Sequence, residues 1–134
     1  MIRVLLVEDS KFLRLATERA LIRAGFEVST AADGEQALQV AKEKLPDLIM
    51  LDLLLPKMTG ADVLKALKSD PATAGIAVVV LSAMSGKNAD RLLHDGAFAF
   101  LVKEDLRLDK GTGPLLRAMA DIVQKLHLKR AVAK

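Results

Sequence analysis

Glu8, Asp9, Asp52, Ser82 and Lys103 occupy corresponding places in the sequence, each at or just past the end of a short apolar run. Glu8 and Asp9 close the run that begins at Ile2, Asp52 follows Leu48-Ile-Met-Leu51, Ser82 follows Val78-Val-Val-Leu81, and Lys103 follows Ala97-Phe-Ala-Phe-Leu-Val102. An ionised carboxylate is costly to bury without a partner, so acids in such places need a reason. Three carboxylates drawn together repel strongly at low dielectric, and a hard divalent cation such as Mg²⁺ relieves that repulsion while keeping sites for water and phosphate oxygens. A lysine could pair with Asp52 or with an incoming phosphoryl group, and a serine hydroxyl could bond one of its oxygens. Positioning and charge neutralisation are most of what phosphoryl transfer requires.

The elements that would bring these residues together follow from periodicity. Five short apolar runs cover 2–7, 27–31, 47–51, 76–81 and 97–102, and stretches of helical period separate them. The first stretch, Lys11 to Ala24, predicts a helix with Phe12, Leu13, Ala16, Ala20 and Ala24 on its inner face and Lys11, Arg14 and Glu18 on its outer face, stopping at Gly25. The second opens with the capping-box pattern Asp33-Gly-Glu-Gln36 and runs to about Lys44. Thr59 and Gly60 lead into a third, which ends before Asp70-Pro71, where the residue preceding proline disfavours helix. A fourth starts near Ser85-Gly86 and ends by Gly96. The last places Leu115, Met119, Ile122 and Leu126 on one face, with Leu116 and Val123 beside them and Asp121 and Lys125 free to pair outside.

Alternating strands and helices predict an α/β fold, a doubly wound parallel sheet with right-handed crossovers and helices on both sides. The runs 78–81 and 97–102 are apolar without alternation, as in strands covered on both faces. Such sheets bind ligands beyond the carboxyl ends of their strands, where strand order reverses. In the five-stranded order 2-1-3-4-5, the first and third strands are neighbours and Glu8, Asp9 and Asp52 converge.

Composition narrows the class of function. A chain of 134 residues, 51% hydrophobic and 28% charged, has room for one domain and not for two. It has no cysteine, which removes disulfides and thiolate metal sites. An acid at position 8 interrupts the N-terminus too early for a signal peptide, and no apolar run approaches a membrane span, so a cytoplasmic protein is expected. The formal charge of +3 comes from the end of the chain: residues 123–134 hold Lys125, Lys129, Arg130 and Lys134 without an acid. Removing those four from 20 basic residues leaves 16 against 17 acids. A short basic tail at 128–134 following a domain at 1–127 reads as a solvated helix end rather than a nucleic-acid arm. The absence of Trp and Tyr gives little for single-stranded nucleic acid to stack on.

Together these motifs resemble the receiver domain of two-component response regulators, of the chemotaxis-regulator type. Leu5-Leu-Val-Glu-Asp9, Asp52-Leu-Leu-Leu-Pro-Lys-Met-Thr-Gly60, Leu81-Ser-Ala83 and Phe100-Leu-Val-Lys103 occur in the family's order and spacing over essentially the whole chain. The resemblance implies a flavodoxin-like (βα)5 fold that is not an enzyme in its own right and assists only its own phosphorylation and dephosphorylation. It implies that Asp52 accepts a phosphoryl group from a histidine kinase or phosphotransfer protein. Glu8, Asp9, Asp52 and the Leu54 carbonyl would hold Mg²⁺. Lys103 would be catalytic, Ser82 would bond the transferred group, Ala83 would leave access to it, and Phe100 would turn inward as Ser82 moves. The surface of the fourth helix, fifth strand and fifth helix would then change for a downstream protein target, in a monomer or a phosphorylation-dependent dimer.

Two alternatives carry different chemistry. An aspartate-nucleophile phosphatase needs a second acid two residues after the nucleophile, where this chain has Leu54. A receiver-like scaffold working without phosphorylation has no use for a cluster of acids. The chain also departs from the family: Glu104 replaces the proline that commonly follows the lysine after a cis peptide, so a trans or strained bond is expected there. The segment from Glu104 to Gly111 is longer than usual. Leu54 and Met84 stand where polar groups often guide the water that hydrolyses the phosphoaspartate, which predicts slow loss of phosphate. With Met1 directly before the first strand and little chain after the last helix, a stand-alone receiver is expected.

Overall fold

A computed structural model of the chain describes residues 1–82, 89–103 and 113–133. The order of elements is β1 (Arg3–Val7), α1 (Lys11–Arg23), β2 (Glu27–Ala31), α2 (Gly34–Lys44), β3 (Leu48–Asp52), α3 (Gly60–Ser69), β4 (Ala77–Ser82), α4 (Ala89–His94), β5 (Ala99–Val102) and α5 (Gly113–Ala133). All strand pairs are parallel, and the sheet runs β2-β1-β3-β4-β5. This is the doubly wound α/β class expected from the alternation of apolar runs and helical stretches, in the order under which Glu8, Asp9 and Asp52 were expected to converge. Val7 pairs with Leu51, Asp52 with Leu81 and Ser82 with Val102. The polar residues at the strand ends therefore share one edge of the sheet, on either side of the point between β1 and β3 where strand order reverses.

Side-chain alternation divides the core into two layers. Leu5, Val7, Ile49, Leu51, Val78 and Val80 pack against α2, α3 and α4 through Ala37, Ala41, Val63, Leu64, Leu67 and Leu92. Val4, Leu6, Leu48, Met50, Val79 and Leu81 pack on the other side against Ala20 and Leu21 of α1 and Leu115, Met119, Ile122 and Leu126 of α5. The buried stripe of α5 is the one its sequence spacing indicates, and Lys125 pairs with Asp121 at 3.0 Å on its outer face. The helix continues past residue 127 to Ala133.

Helix ends obey local chemistry. Ser10 caps α1, Asp33 caps α2 and Thr59 caps α3, each side chain accepting a backbone N–H three residues on. The Gln36 side chain reaches back to the Ala32 N–H at 2.7 Å, one residue earlier than the usual capping box. Gly25 and Gly96, at φ +97° and +113°, follow the ends of α1 and α4. The beginning expected for α4 near Ser85 lies outside the described residues.

Two expectations require correction. The buried stripe of α1 is Thr17, Ala20 and Leu21, and Phe12 is 78% exposed. Phe12 precedes Leu21 by nine residues, two and a half turns, so the two cannot face the same way; the apolar residue types on this helix are spread around it, and the side that meets the sheet was not deducible from them. β5 also differs: β4 is buried throughout, but all four residues of β5 are half-buried. β5 is an edge strand with a neighbour on one side only, so its apolar composition overstates its cover.

Gly60 fixes α3 against the strand that ends in Asp52. Its N–H donates to the Leu53 carbonyl at 2.9 Å. A Cβ there would lie 2.6 Å from the Asp52 carbonyl oxygen and 2.7 Å from the Leu53 Cα. Both obstacles are backbone, which yields less readily than a flexible side chain. Gly60→Ala is expected to destabilise the fold by about 1–3 kcal/mol in urea unfolding. Gly75→Ala, where an added Cβ meets nothing within 4 Å, is expected to stay within about 0.5 kcal/mol of the parent; equal effects of the two substitutions would refute the close approach at Gly60.

Candidate functional site

The turn after β1 holds Glu8 at four points. Its N–H donates to the Ala31 carbonyl of β2 at 3.0 Å. Its carbonyl accepts from Arg14 Nη1 at 2.9 Å. Its Oε2 accepts the Ser10 N–H at 3.2 Å, and its Oε1 lies 2.7 Å from Lys103 Nζ. Ser10, not either acid, supplies the cap of α1, and the first turn of that helix contains no acid. Helix capping therefore does not account for Glu8 and Asp9. Glu8 is 5% exposed, and Asp9 is open to solvent.

Asp52, the last residue of β3, is 4% exposed. Its Oδ1 accepts the Leu54 N–H at 3.1 Å and its Oδ2 lies 3.0 Å from Lys103 Nζ. Carboxylate oxygens of Glu8, Asp9 and Asp52 all lie within 4.8 Å of one another. Three carboxylates against one ammonium leave the cluster with two negative charges in excess. All the donors are hard oxygens, and the excess charge equals that of one divalent cation, so the set suits Mg²⁺ by both criteria.

Burial alone would push the Lys103 ammonium down, but its hydrogen bonds and charge interactions with Glu8 and Asp52 outweigh that and hold it above the usual lysine range. The site thus carries a permanently charged lysine at neutral pH. Sequence reasoning placed Lys103 beside Asp52; the structure adds Glu8 as its closer partner.

Alternation along the strands separates the remaining residues. Glu8, Asp52 and Lys103 continue the rows of Leu6, Met50 and Leu101, on the side of α1 and α5. Ser82 continues the row of Val78 and Val80, on the side of α2 to α4, where Phe100 packs as well. Ser82 is 2% exposed and Phe100 half-buried. Leu54 lies at the rim, 62% exposed. Ala83, Met84 and Glu104, with the Lys103-Glu104 bond and the segment to Gly111, lie outside the described residues. Arg14, expected on the solvent face of α1, instead turns onto the β1–α1 turn. The signal that could have found it is a cation one helical turn after an acid pair at a strand end.

The receiver domain of response regulators is the family whose sequence model matches this chain, over residues 4–109. A gliding motility regulatory protein of Myxococcus xanthus is 44% identical over 110 residues, covering 81% of this chain and 14% of that protein. The response regulator PleD of Caulobacter vibrioides is 43% identical over 103 residues, covering 75% of this chain and 22% of that protein. The chain thus spans less than a quarter of the length of either relative. The chemotaxis response regulator CheY4 of Vibrio cholerae superposes with a TM-score of 0.79 at 30% identity, over 91% of this chain and 98% of that one. Among the described residues, no helix is long and apolar enough to cross a membrane.

Removing the shared cation isolates its contribution. Lys103→Met leaves two nearly buried carboxylates facing each other and is expected to lower stability in the absence of divalent ions by roughly 2 kcal/mol, less than for a fully buried pair because the ammonium keeps some contact with water. A group whose pKa is raised by folding contributes fully below its unfolded value and loses that contribution as pH rises through the folded one. The deficit of the variant should therefore be flat from neutrality to about pH 10 and shrink above it. Urea unfolding across that range measures this; a deficit that fades near pH 7 would contradict the lysine's raised pKa.

Proposed function

Because the chain belongs to the response regulator receiver family, we propose that it is a phosphoacceptor switch in which Asp52 takes a phosphoryl group from the phosphohistidine of a kinase or phosphotransfer protein. The observation that carries this reading is the bridging of Glu8 and Asp52 by Lys103, with Asp9 completing an acid cluster at the carboxyl edge of the sheet. A carboxylate oxygen of Asp52 attacks phosphorus, the phosphorus–nitrogen bond of the donor breaks, and the imidazole leaves with a proton from solvent. Lys103 holds Asp52 in place through their 3.0 Å contact and offers its charge to the phosphoryl oxygens. Glu8, Asp9, Asp52 and the Leu54 carbonyl would hold Mg²⁺, which would supply charge neutralisation to the incoming phosphate.

The transferred group would also engage the other face of the sheet. Ser82 donates its hydroxyl to a phosphoryl oxygen, and the small residue type that follows it in the sequence, Ala83, suits access to the group. Phe100, on the same face as Ser82, turns inward as the serine moves. The half-burial of β5 supports a response there. A groove of about 460 Å³ lies along that edge, lined by Phe98, Phe100, Leu101, Ala118, Ile122 and Lys125. The α4–β5–α5 surface is thus the reading surface for a downstream protein. A phosphatase is not favoured, because the position that would protonate a leaving group is the exposed, apolar Leu54.

Incubation with Mg²⁺ and acetyl phosphate, followed by intact mass, tests the acceptor. A single phosphoryl adduct is expected, absent in Asp52→Asn and without Mg²⁺. Failure to form it with either acetyl phosphate or a cognate kinase would favour the phosphorylation-independent scaffold. Phosphate lifetime gives a second measurement: Leu54 and Met84 offer no polar group to orient the hydrolytic water, so Leu54→Asn is expected to shorten the half-life of the phosphoprotein. An unchanged or longer half-life in that variant would remove Leu54 from the control of dephosphorylation.

A further inference from the structure

Arg14 is a cation in an electrostatically awkward place. It lies in the first turns of α1, near the positive end of the helix dipole, and next to the acids that would hold a divalent cation. On charge alone, it disfavours both. Its guanidinium is nevertheless drawn back over the turn: Nη1 donates to the Glu8 carbonyl at 2.9 Å and makes a longer contact of 3.5 Å with the Asp9 carbonyl. β1 ends at Val7, so these two carbonyls lie beyond the described strand.

We propose that Arg14 is a positioning residue for the metal-binding acids: by anchoring the Glu8 and Asp9 carbonyls it fixes the turn so that both carboxylates face Asp52, and thereby sets the affinity of the cluster for Mg²⁺. The proposal rests on the reading of Glu8, Asp9 and Asp52 as a divalent-cation site. Glu8 already has its N–H fixed by β2 and its Oε2 by the Ser10 N–H. Asp9 is exposed, and no hydrogen bond to its carboxylate is described. Its orientation therefore depends on the backbone of the turn, and the guanidinium is the side chain seen to touch both carbonyls. Both contacts come from Nη1, whose N–H groups are held in fixed directions by the planar guanidinium, which suits this task better than the rotating ammonium of a lysine.

The sign of the effect separates positioning from charge. Loss of a nearby positive charge should tighten Mg²⁺ binding by Coulomb's law, whereas loss of a group that orients metal ligands weakens binding about 10-fold or more. Calorimetric titration with Mg²⁺ alone, on the full chain without phosphodonor, is expected to show Arg14→Met weakened about 10-fold, with Arg14→Lys between it and the parent. Arg19→Met, an exposed position on the same helix, should bind as the parent does. Equal or tighter binding by Arg14→Met overturns the proposal. Should Arg14→Met not fold, Arg14→Lys decides, since parental affinity in that variant would show that the planar guanidinium is not needed and would overturn the proposal. A parent that binds Mg²⁺ beside an unaffected variant refutes Arg14 alone; a parent that does not bind Mg²⁺ refutes the metal reading of the cluster and the proposal with it.

Discussion

Glu8 and Asp52, on neighbouring strands, reach the same ammonium, that of Lys103 at the end of a strand farther along the sheet. Neither acid has appreciable contact with water. Without a cation between them the two charges would have to be protonated or driven apart, and either change would disturb the end of β1 or β3. The lysine spans the intervening β4 because its stem is long and apolar and can lie along the sheet edge while only its head is charged. One contact thus ties together β1, β3 and β5, the three strands that carry acids or lysine to the site.

The scaffold around that contact is rigid in the places where rigidity counts. β3 and β4 are buried in full and pack on helices from both sides, so the positions of Asp52 and Ser82 follow from close-packed neighbours rather than from loops. The lack of a side chain at Gly60 lets α3 start directly against the backbone of Asp52 and Leu53. On the opposite side, the β1–α1 turn, where Asp9 is exposed, is held by hydrogen bonds from Ser10 and Arg14. The site is therefore assembled from a packed half and a hydrogen-bonded half.

β5 contributes a third property. As an edge strand it is half-buried and carries both Lys103 at its end and Phe100 in its middle. A charge change at the acid cluster acts on Lys103 first, and Lys103 directly follows the strand whose outer side is incompletely covered. Lower local packing makes an element easier to rearrange. The fold thus joins a lysine that is charged at neutral pH to a half-buried edge strand.

The sequence by itself determined the fold class and the buried stripe of α5, because period 2 and period 3.6 are local properties of apolar side chains; the order 2-1-3-4-5, under which Glu8, Asp9 and Asp52 converge, came from the family resemblance and agrees with the strand pairing. Caps at Ser10, Asp33 and Thr59 obey local rules as well, although Ser10 was hidden by the acids before it. Only the tertiary structure decided which side of α1 meets the sheet, since its apolar residues are spread around the helix and Phe12 is left outside. It alone decided that all four residues of β5 are only half-buried, because apolar composition does not record how much of a strand its neighbours cover. It also decided that Lys103 serves Glu8 as well as Asp52, and that Arg14 turns inward to the acid turn. Those last two are contacts between charged groups whose partners are chosen by distance in space, and spacing along the chain carries no record of that distance.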